Sequence, residues 1–195
     1  MSDLQVLGVV GSLSSNSATR IVVRELEGLL KNHGAVLDML DFGKEPLELF
    51  DPENTYSKPF YPVLKKRIEC SDVILLATPD YHGSMSGVLK NFLDHFWTEF
   101  AGKLFVPIVA SHEKGLTVTD QIRTVARQCY AWTIPYNVSF ADKVDVVDGR
   151  VVGDAFRKRL EMLSQDIMNY GSLLAEQRRR DMSGKNPGFM ARYRE

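Results

Sequence analysis

Short apolar runs recur along the chain, and each is followed by a polar loop and then by a helical pattern. They cover residues 4–10, 35–40, 72–77 and 104–110, and a fifth run begins at Trp132. Runs that are apolar at nearly every position are typical of strands that helices cover on both faces. The repeated order of strand, loop and helix predicts an α/β fold with a parallel sheet, in which the loops at the carboxyl ends of the strands bind the ligand.

Helices are predicted where apolar residues recur every three or four positions. The first follows the first loop and ends at Gly34, its predicted C-cap. Further helices are predicted over residues 65–70, 87–100, 118–128 and 154–180. Residues 132–152 are predicted to form the fifth strand and a hairpin-like extension, with Asp148 and Gly149 as its turn.

Length, composition and charge limit the possible functions. The 195 residues are enough for one domain with a full core, and the net charge of −1 creates no field that attracts nucleic acid or a membrane. We therefore expect neither as a partner. The chain begins directly with the first strand and has no window that spans a bilayer, so we expect a cytoplasmic location. Residues 178–195 are basic, which predicts a C-terminal extension beyond a domain over residues 1–177.

The first loop, residues 11–17, is rich in small hydroxyl side chains and leads into a helix. Unpaired N–H groups and partial positive charge at a helix start suit a phosphate, and hydroxyl groups there add donors. One such residue would serve as a plain helix cap, but six are present: Ser12, Ser14, Ser15, Asn16, Ser17 and Thr19. The loop lacks the Gly-Lys-Ser/Thr and Gly-x-Gly-x-x-Gly patterns, which argues against a nucleoside triphosphate or a dinucleotide.

The loop after the third apolar run, residues 78–84, suits a planar ring. Pro79 stiffens the exit from the strand, and Gly83 allows a ligand to approach the backbone. Tyr81 and His82 can pack on a ring and still donate hydrogen bonds. An ordinary surface loop has a similar composition. The neighbouring phosphate loop makes a phosphorylated aromatic ligand the more economical interpretation.

Together the two loops resemble the NADPH-dependent FMN reductase family. That family pairs a Gly-Ser-x-Arg-x-x-Ser loop with the segment Thr-Pro-Glu-Tyr-Asn-Gly-Ser-x-x-Gly-x-Leu-Lys-Asn. Here the second segment stands as Thr78-Pro-Asp-Tyr-His-Gly-Ser-Met-Ser-Gly-Val-Leu-Lys-Asn91, and the first, more loosely, as Gly11-Ser-Leu-Ser-Ser-Asn-Ser17. The resemblance covers residues 1 to about 175. It implies a flavodoxin-like three-layer sandwich with a five-stranded parallel sheet in the order 2-1-3-4-5.

The resemblance also implies which residues hold the cofactor FMN. Those expected at the phosphate are Ser12, Ser14, Asn16 and Ser17. Those expected along the isoalloxazine ring are Pro79, Asp80, Tyr81, His82, Gly83 and Ser84. The loop from Ser111 to Gly115 is expected to close the other edge of the ring.

Three positions depart from the family pattern. Ser14 stands where the family has arginine, which removes a fixed positive charge, and Arg20 is the expected partial substitute. His82 stands where the family has asparagine. Because an imidazole ordinarily changes charge near neutral pH, we interpret His82 as a residue that tunes the flavin. The loop from Ser111 to Gly115 replaces a frequent Gly-Gly pair with bulkier, charged residues, and we expect it to shape access for the second substrate.

In function, the resemblance implies an NAD(P)H-dependent, FMN-containing oxidoreductase that needs no catalytic side chains, because the flavin carries the chemistry. Electrons from NADPH or NADH would pass by a ping-pong scheme to a small-molecule acceptor: a flavin, quinone, azo compound or metal oxyanion. Two alternatives remain open, a flavodoxin-type electron carrier and an FMN-binding redox sensor. The net charge of −1 argues against the carrier, since carriers dock through strong surface acidity.

Three further expectations concern assembly, metals and thiols. The helix predicted over residues 87–100 carries more aromatic surface than one sheet face covers, so we expect a homodimer or homotetramer, which the resemblance also implies. No two histidines have the spacing of metal ligands, so we expect no metal site. Cys70 and Cys129 are expected to be core or partly buried thiols rather than nucleophiles.

Overall fold

The computed structural model describes residues 3–184, in which a parallel sheet lies between two layers of helices. The strands are β1 (Gln5–Val10), β2 (Val36–Asp41), β3 (Val73–Tyr81), β4 (Ser84–Met85), β5 (Leu104–Ala110), β6 (Trp132–Thr133), β7 (Val138–Phe140), β8 (Val146–Val147) and β9 (Arg150–Val151). The helices are α1 (Ala18–Asn32), α2 (Phe60–Cys70), α3 (Gly87–Asp94), α4 (Leu116–Gln128), α5 (Asp154–Asp166) and α6 (Ser172–Ser183). Short 3-10 turns cover Thr55–Ser57 and Thr98–Phe100, and a π-helical turn covers Ile167–Gly171.

The parallel strands run in the order β2-β1-β3-β5-β6, and β7 pairs with β5 further along the same edge. Together β6 and β7 form the predicted fifth strand, which residues 134–137 interrupt. The short β4 pairs antiparallel with the end of β3. Without β4, the arrangement is the predicted five-stranded parallel sheet in the order 2-1-3-4-5, and the predicted three-layer fold is confirmed. The predicted hairpin extension is also present as β8 and β9.

Helices cover both faces of the sheet, which explains why its central strands are apolar at every position. Helices α1 and α5 pack on one face, and α2, α3 and α4 pack on the other. Successive residues of β3 alternate between the two cores: Leu75 belongs to the first, whereas Ile74 and Leu76 belong to the second. The polar loops therefore lie outside the two cores, at the ends of the strands.

Two boundaries differ from the prediction in ways that affect the site. Strand β3 continues to Tyr81 instead of ending at residue 77, so residues 78–81 of the expected ring loop are strand. Helix α3 ends at Asp94 instead of residue 100. It ends because the backbone N–H of His95 turns to the carbonyl of Phe92, while Nδ1 of His95 bonds the carbonyl of Asn91 at 2.7 Å. The first turn of α2 also begins earlier than predicted, at Phe60.

The aromatic side chains of α3 and of the segment that follows it are covered within the chain. Phe92, Phe96 and Phe100 are buried, and the ring of Phe100 lies 5.1 Å from that of Phe105. Of this group only Trp97 is largely exposed, at 53%. The expectation of excess aromatic surface is therefore wrong, since the sheet and its neighbours accommodate the rings. The oligomeric state itself stays a prediction.

The long C-terminal helix is confirmed and extends slightly further than predicted. Helices α5 and α6 are joined through the π-helical turn into one helix that ends at Ser183. It passes the expected domain boundary at residue 177 without interruption, and the rest of the expected extension, residues 185–195, lies outside the described residues. Across residues 3–184, no helix combines the length and apolar character needed to cross a membrane.

The two cysteines have different environments. Cys129 is buried, and burial raises the pKa of its thiol to about 11, which keeps it protonated and unreactive at neutral pH. Cys70 is exposed, contrary to the expectation of a core or partly buried thiol, because it is the last residue of α2.

Candidate functional site

Two adjoining cavities lie at the carboxyl edge of the sheet, where β1, β3 and β5 end. The first, the α1 cavity, has a volume of about 260 Å³ and lies at the start of α1. The second, the hairpin cavity, has a volume of about 490 Å³ and lies between the end of β3 and the start of α4. The residues that line both are Asp80, Ala110, Ser111 and His112, so the two cavities form one cleft. This is where open α/β sheets bind their ligands.

The α1 cavity faces hydroxyl groups and the start of a helix. It is lined by Ser12, Ser14, Asn16, Ser17, Ala18, Thr19, Pro79, Asp80, Tyr81, Ala110, Ser111, His112 and Asp142. Ser17 is the N-cap of α1: its hydroxyl accepts a hydrogen bond from the N–H of Arg20 at 3.2 Å and bonds the hydroxyl of Thr19 at 2.7 Å. The N–H groups of Ala18 and Thr19 fall in the first turn, where a helix offers them no carbonyl. The cavity is therefore suited to an anion.

Arg20 lies beneath this loop, where it is buried against Asp41. Its Nε and Nη2 donate to the two carboxylate oxygens of Asp41 at 2.5 and 3.0 Å, and its Nη1 donates to the carbonyls of Ser14 and Ser15 at 3.1 and 2.9 Å. Burial by itself would raise the pKa of Asp41, but hydrogen bonds from Arg20 and from the N–H of Gly43 hold that pKa below its usual value. The expectation that Arg20 supplies charge to a phosphate is wrong, because Asp41 already neutralises it.

The described residues that line the α1 cavity include carboxylates but no lysine or arginine. The carboxylates are those of Asp80 and Asp142. A phosphate in this cavity would be held by backbone N–H groups, hydroxyl groups and the partial positive charge of the helix start.

The second predicted loop is a β-hairpin rather than an irregular loop. Tyr81 pairs with Ser84, and His82 and Gly83 form the two-residue turn between them. Both turn residues have positive φ, 57° and 76°, as a type I′ turn requires. The turn leaves the side chains of Tyr81 and His82 exposed, and His82 borders the hairpin cavity.

Asp80 connects this hairpin to the third loop. Its Oδ1 accepts a hydrogen bond from the N–H of Gly83 at 2.8 Å, and its Oδ2 accepts one from the hydroxyl of Ser111 at 2.8 Å. The Ser111 hydroxyl in turn accepts a hydrogen bond from the N–H of Glu113 at 3.1 Å. The two loops that border the hairpin cavity are therefore held at a fixed separation by one carboxylate.

Gln121 on α4 holds the other side of the hairpin. Its Oε1 accepts hydrogen bonds from the hydroxyl of Ser84 at 3.0 Å and from the N–H of Met85 at 3.3 Å. Its Nε2 donates to the carbonyl of Gly83 at 3.2 Å. One side-chain amide thus makes three contacts with the turn that presents His82.

The two predicted segments are also joined directly to each other. Ser86, the N-cap of α3, donates from its hydroxyl to the carbonyl of Gly11 at 2.5 Å. Its N–H donates to the hydroxyl of Thr78 at 2.9 Å. Gly11 in turn donates to the carbonyl of Ala77 at 2.7 Å. These contacts fix the end of β1 against the end of β3.

Most of the residues predicted from the sequence lie together in this cleft. Those that line it are Ser12, Ser14, Asn16, Ser17, Pro79, Asp80, Tyr81, His82, Gly83 and Ser111. The two other predicted residues do not line the cleft: Ser84 bonds Gln121, and Gly115 is the buried N-cap residue of α4.

Other residues at the cleft carried no specific signal in the sequence. His112 lies inside the predicted third loop, but nothing distinguished it from its neighbours. Asp142 follows β7 and reaches the α1 cavity through the sheet order alone. The roles of Asp41 and Gln121 depend on contacts with residues 21 to 38 positions away, which no local pattern reveals.

A further cleft of about 550 Å³ lies away from these loops, between α2 and the first half of β1. Its exposed surface is mostly apolar, and it has neither a helix start nor a cluster of hydroxyl groups, so it does not suit a phosphate. Within residues 3–184, no group of three or more His, Cys, Asp or Glu side chains has an arrangement that could hold a metal ion.

Known proteins with the same arrangement of elements include flavoenzymes. A flavoenzyme NAD(P)H:(acceptor) oxidoreductase from Paracoccus denitrificans superposes with a TM-score of 0.73 at 20% identity, over 87% of this chain and 98% of the other. A flavodoxin from the domain Archaea superposes with a TM-score of 0.60 at 12% identity, over 87% and 99%. These likenesses establish a flavodoxin-like fold.

Sequence relatives indicate the family. The FMN-dependent NADPH-azoreductase of Staphylococcus haemolyticus is 26% identical over 176 residues, which is 83% of this chain and 92% of the relative. That of Staphylococcus aureus is 28% identical over 142 residues, or 69% and 75%. Residues 4–145 match the family described as NADPH-dependent FMN reductase. Since this match spans well over half of the chain, the protein belongs to the NADPH-dependent FMN reductase family of oxidoreductases, as the two loops predicted.

Proposed function

We propose that this protein holds FMN in the cleft formed by the α1 and hairpin cavities and transfers electrons from NAD(P)H to a second small molecule. The observation that carries the proposal is the continuity of this cleft. A cavity suited to a phosphate adjoins, through four shared lining residues, a cavity bordered by Tyr81, His82 and the third loop. A ligand with a phosphate at one end and a flat ring at the other matches this layout.

At the phosphate end, Ser12, Ser14, Asn16 and Ser17 would hold the phosphate together with the first turn of α1. Ser12 and Ser17 are buried, so their hydroxyl groups are already withdrawn from bulk water. Ser17 also caps the helix, and this fixes the direction of the first N–H groups. The absence of a lysine or arginine from the described cavity lining means that geometry, rather than net charge, would select the phosphate.

At the ring end, the hairpin and the third loop would position the ring between them. Bound FMN would supply the two-electron hydride chemistry, so no acid or base side chain is required. The backbone donor that the chain would contribute is the N–H of His82, because the N–H of Gly83 already bonds Asp80, and the link between Asp80 and Ser111 keeps the two loops apart. Tyr81 and His82 are exposed, which leaves one side of the cleft open to substrates.

An open face favours a ping-pong scheme, in which NAD(P)H and the acceptor use the same face in turn. The acceptor classes we propose are azo compounds, quinones, free flavins and metal oxyanions. The names of the staphylococcal relatives support azo compounds in particular. His112, Glu113 and Leu116 border the open side, so we propose that the third loop selects among these acceptors.

Turnover by the FMN-loaded protein tests this proposal against an electron carrier. We expect the purified holoprotein to oxidise NADPH or NADH steadily when a quinone or azo acceptor is in excess. The control is free FMN at the same concentration. A rate no higher than that of the control would contradict the enzyme assignment and favour a flavodoxin-type carrier.

We further propose the setting in which the enzyme acts. Residues 1–177 would form the FMN-binding unit and 178–195 a basic extension. The protein would act in the cytoplasm, where NAD(P)H is available, as a homodimer or homotetramer. The family resemblance supports the oligomer, and exposed Trp97 offers an apolar contact. Light scattering at micromolar concentration tests it: a stable monomer would contradict the oligomer.

A further inference from the structure

We propose that Arg20 and Asp41 are positioning residues that give the cleft its preference for a phosphorylated flavin without contacting the phosphate. This inference rests on the proposed function, since it assumes that the α1 cavity holds the phosphate. It assigns the selectivity to a buried ion pair outside the cavity, because neither residue lines the cavity.

The ion pair connects three separate parts of the chain. Arg20 is in the first turn of α1, Asp41 is the last residue of β2, and the loop carbonyls of Ser14 and Ser15 accept from Nη1 of Arg20. Asp41 also accepts a hydrogen bond from the N–H of Gly43 at 3.0 Å. The loop is thereby fastened to the adjacent edge strand of the sheet as well as to its own helix.

These contacts determine which backbone groups of the loop are available to a ligand. Because Arg20 takes the carbonyls of Ser14 and Ser15, those two acceptors are directed at the guanidinium. In a trans peptide, the N–H of the next residue points the opposite way, so the N–H groups of Ser15 and Asn16 are directed away from Arg20. Of these two residues, Asn16 lines the cavity, so the loop would present the N–H of Asn16 to an incoming phosphate and withhold carbonyl oxygens, which would repel it.

The charge of the cavity makes this geometry decisive. A site with a lysine or arginine would attract a phosphate even with a loosely ordered loop. Here the described cavity lining has no such residue and includes Asp80 and Asp142. Recognition would depend on short hydrogen bonds from fixed dipoles, which weaken steeply when their direction changes. Loss of the ion pair would thus reduce selectivity for the phosphate more than affinity for the ring.

The chain contains a matched ion pair that serves as a control. Arg67 on α2 binds Asp38 of β2 through Nε and Nη2, both at 2.8 Å, and Nη2 also donates to the carbonyl of Met39 at 2.9 Å. This pair has the same two-point geometry and involves the same strand, but Arg67 does not contact the loop. A substitution there tests whether any loss of an arginine–aspartate pair at β2 alters flavin selectivity.

The experiment compares FMN and riboflavin affinities of the full chain by calorimetry, for wild type, Arg20→Gln, Arg20→Lys and Arg67→Gln. We expect Arg20→Gln to lower the ratio of FMN affinity to riboflavin affinity by at least about tenfold, because the loop N–H groups lose the fixed direction on which their hydrogen bonds to the charged phosphate depend. Riboflavin affinity should stay within about twofold of wild type. Arg20→Lys should give an intermediate ratio, and Arg67→Gln should retain the wild-type ratio.

Two outcomes would overturn the inference in distinguishable ways. If the wild type prefers FMN and both Arg20 variants keep its ratio, the ion pair does not position the loop, while the phosphate assignment stands. If the wild type binds FMN no more tightly than riboflavin, the phosphate assignment fails and this inference fails with it. Should Arg20→Gln not fold, Arg20→Lys decides: a wild-type ratio overturns the inference, and a lowered ratio supports it.

Discussion

The two ends of the cleft are held in place by different means. At the α1 cavity, residues 14–17 of the loop are held by the helix that follows them: Ser17 caps α1, and Arg20 in the first turn donates to the carbonyls of Ser14 and Ser15. At the hairpin cavity, distant residues do the holding. Ser111 contacts Asp80 across 31 positions of the chain, and Gln121 contacts the hairpin across 36 to 38.

This difference predicts separable effects on a ligand with two ends. Changes at the α1 cavity should alter the binding of FMN and leave riboflavin unaffected, because riboflavin lacks the phosphate. Changes at the hairpin cavity should alter the binding of both flavins equally, because they share the ring.

The largest expected effect is on the stability of the α1 end. Asp41→Asn leaves Arg20 as a buried charge without its ionic partner, which should cost about 3–5 kcal/mol of unfolding free energy at pH 7. Asp38→Asn on the same strand is the control. It removes a half-exposed carboxylate, for which we expect about 0–1 kcal/mol. Denaturant titration measures both, and equal losses would contradict the distinction.

The same ion pair predicts a pH dependence. Burial is the largest single influence and opposes ionisation of Asp41, but the hydrogen bonds from Arg20 and the N–H of Gly43, together with the charges of Arg20 and Lys44, outweigh it and lower the pKa of the carboxyl. The stability contributed by the pair is therefore fully present above about pH 4, the ordinary value for aspartate, and is lost as the pH falls through the lowered pKa. The stability difference between wild type and Asp41→Asn should shrink in that acid range. A difference that stays constant would contradict this account.

Removing two hydroxyl groups at the α1 cavity should weaken FMN binding by about 2–4 kcal/mol. In the double variant Ser12→Ala/Ser17→Ala, two hydrogen bonds to a charged group are lost, each of about 1.5–3 kcal/mol, and water restores part of them. The apoprotein should lose about 1 kcal/mol of stability, because Ser17 is also the N-cap. Calorimetry checks the affinity. If FMN affinity does not change, the loop is only a helix cap.

A substitution in the third loop should destabilise the fold more than an equivalent one at a remote turn. Gly115 has φ of +59°, and a Cβ there would lie 2.5 Å from Cγ1 of Val109. Gly149 has φ of +75° with nothing within 4 Å of its Cβ position. Both alanine variants carry the left-handed strain, about 1–2 kcal/mol. Gly115→Ala adds crowding, so it should exceed Gly149→Ala by about 1–3 kcal/mol in thermal unfolding. Equal losses of stability in the two variants would show that the third loop shifts to accommodate the added methyl group, which would contradict this prediction.

Removing the contacts that hold the hairpin should weaken the binding of FMN and riboflavin to the same extent. Gln121→Leu removes three hydrogen bonds to the turn, and we expect a loss of about 2 kcal/mol in ring binding after water replaces part of them. The matched control is Gln177→Leu, since the Gln177 amide donates to Asp181, four residues further along the surface of α6 and away from the cleft. If the affinity for FMN falls and that for riboflavin does not, Gln121 acts on the phosphate end of the cleft, which would contradict this prediction.

The smallest expected effect concerns His82. Its side chain borders the hairpin cavity, so we expect His82→Asn to shift the flavin midpoint potential by about 30 mV, which corresponds to about 1.4 kcal/mol for a two-electron couple. Potentiometry of the wild-type and variant holoproteins measures the shift. Identical potentials would show that His82 faces solvent only.

The sequence predicted the features that depend on neighbouring residues. The apolar runs predicted the strands, the family resemblance implied their order, and the hydroxyl-rich loop predicted a helix start suited to an anion. The two motifs predicted the family, the oxidoreductase class and the use of FMN with NAD(P)H, and membership in the NADPH-dependent FMN reductase family confirms these predictions.

Features that depend on tertiary contacts could not be predicted in this way. Arg20 has the charge and position of a phosphate ligand, and only the fold places Asp41 beside it. The segment at residue 78 looked like a loop because it contains Pro79 and Gly83, whereas pairing with β4 makes part of it strand. The aromatic residues after α3 suggested an exposed surface, yet a bend at His95 directs them into the core.

The central claim is that one cleft binds a flavin by its phosphate at α1 and its ring at the hairpin. Calorimetric titration of the wild-type chain with FMN, riboflavin and FAD tests it most directly. We expect each chain to bind one FMN, more tightly than riboflavin. It would be contradicted by riboflavin binding as tightly as FMN or more tightly, since the hydroxyl-rich loop would then make no contact with the phosphate.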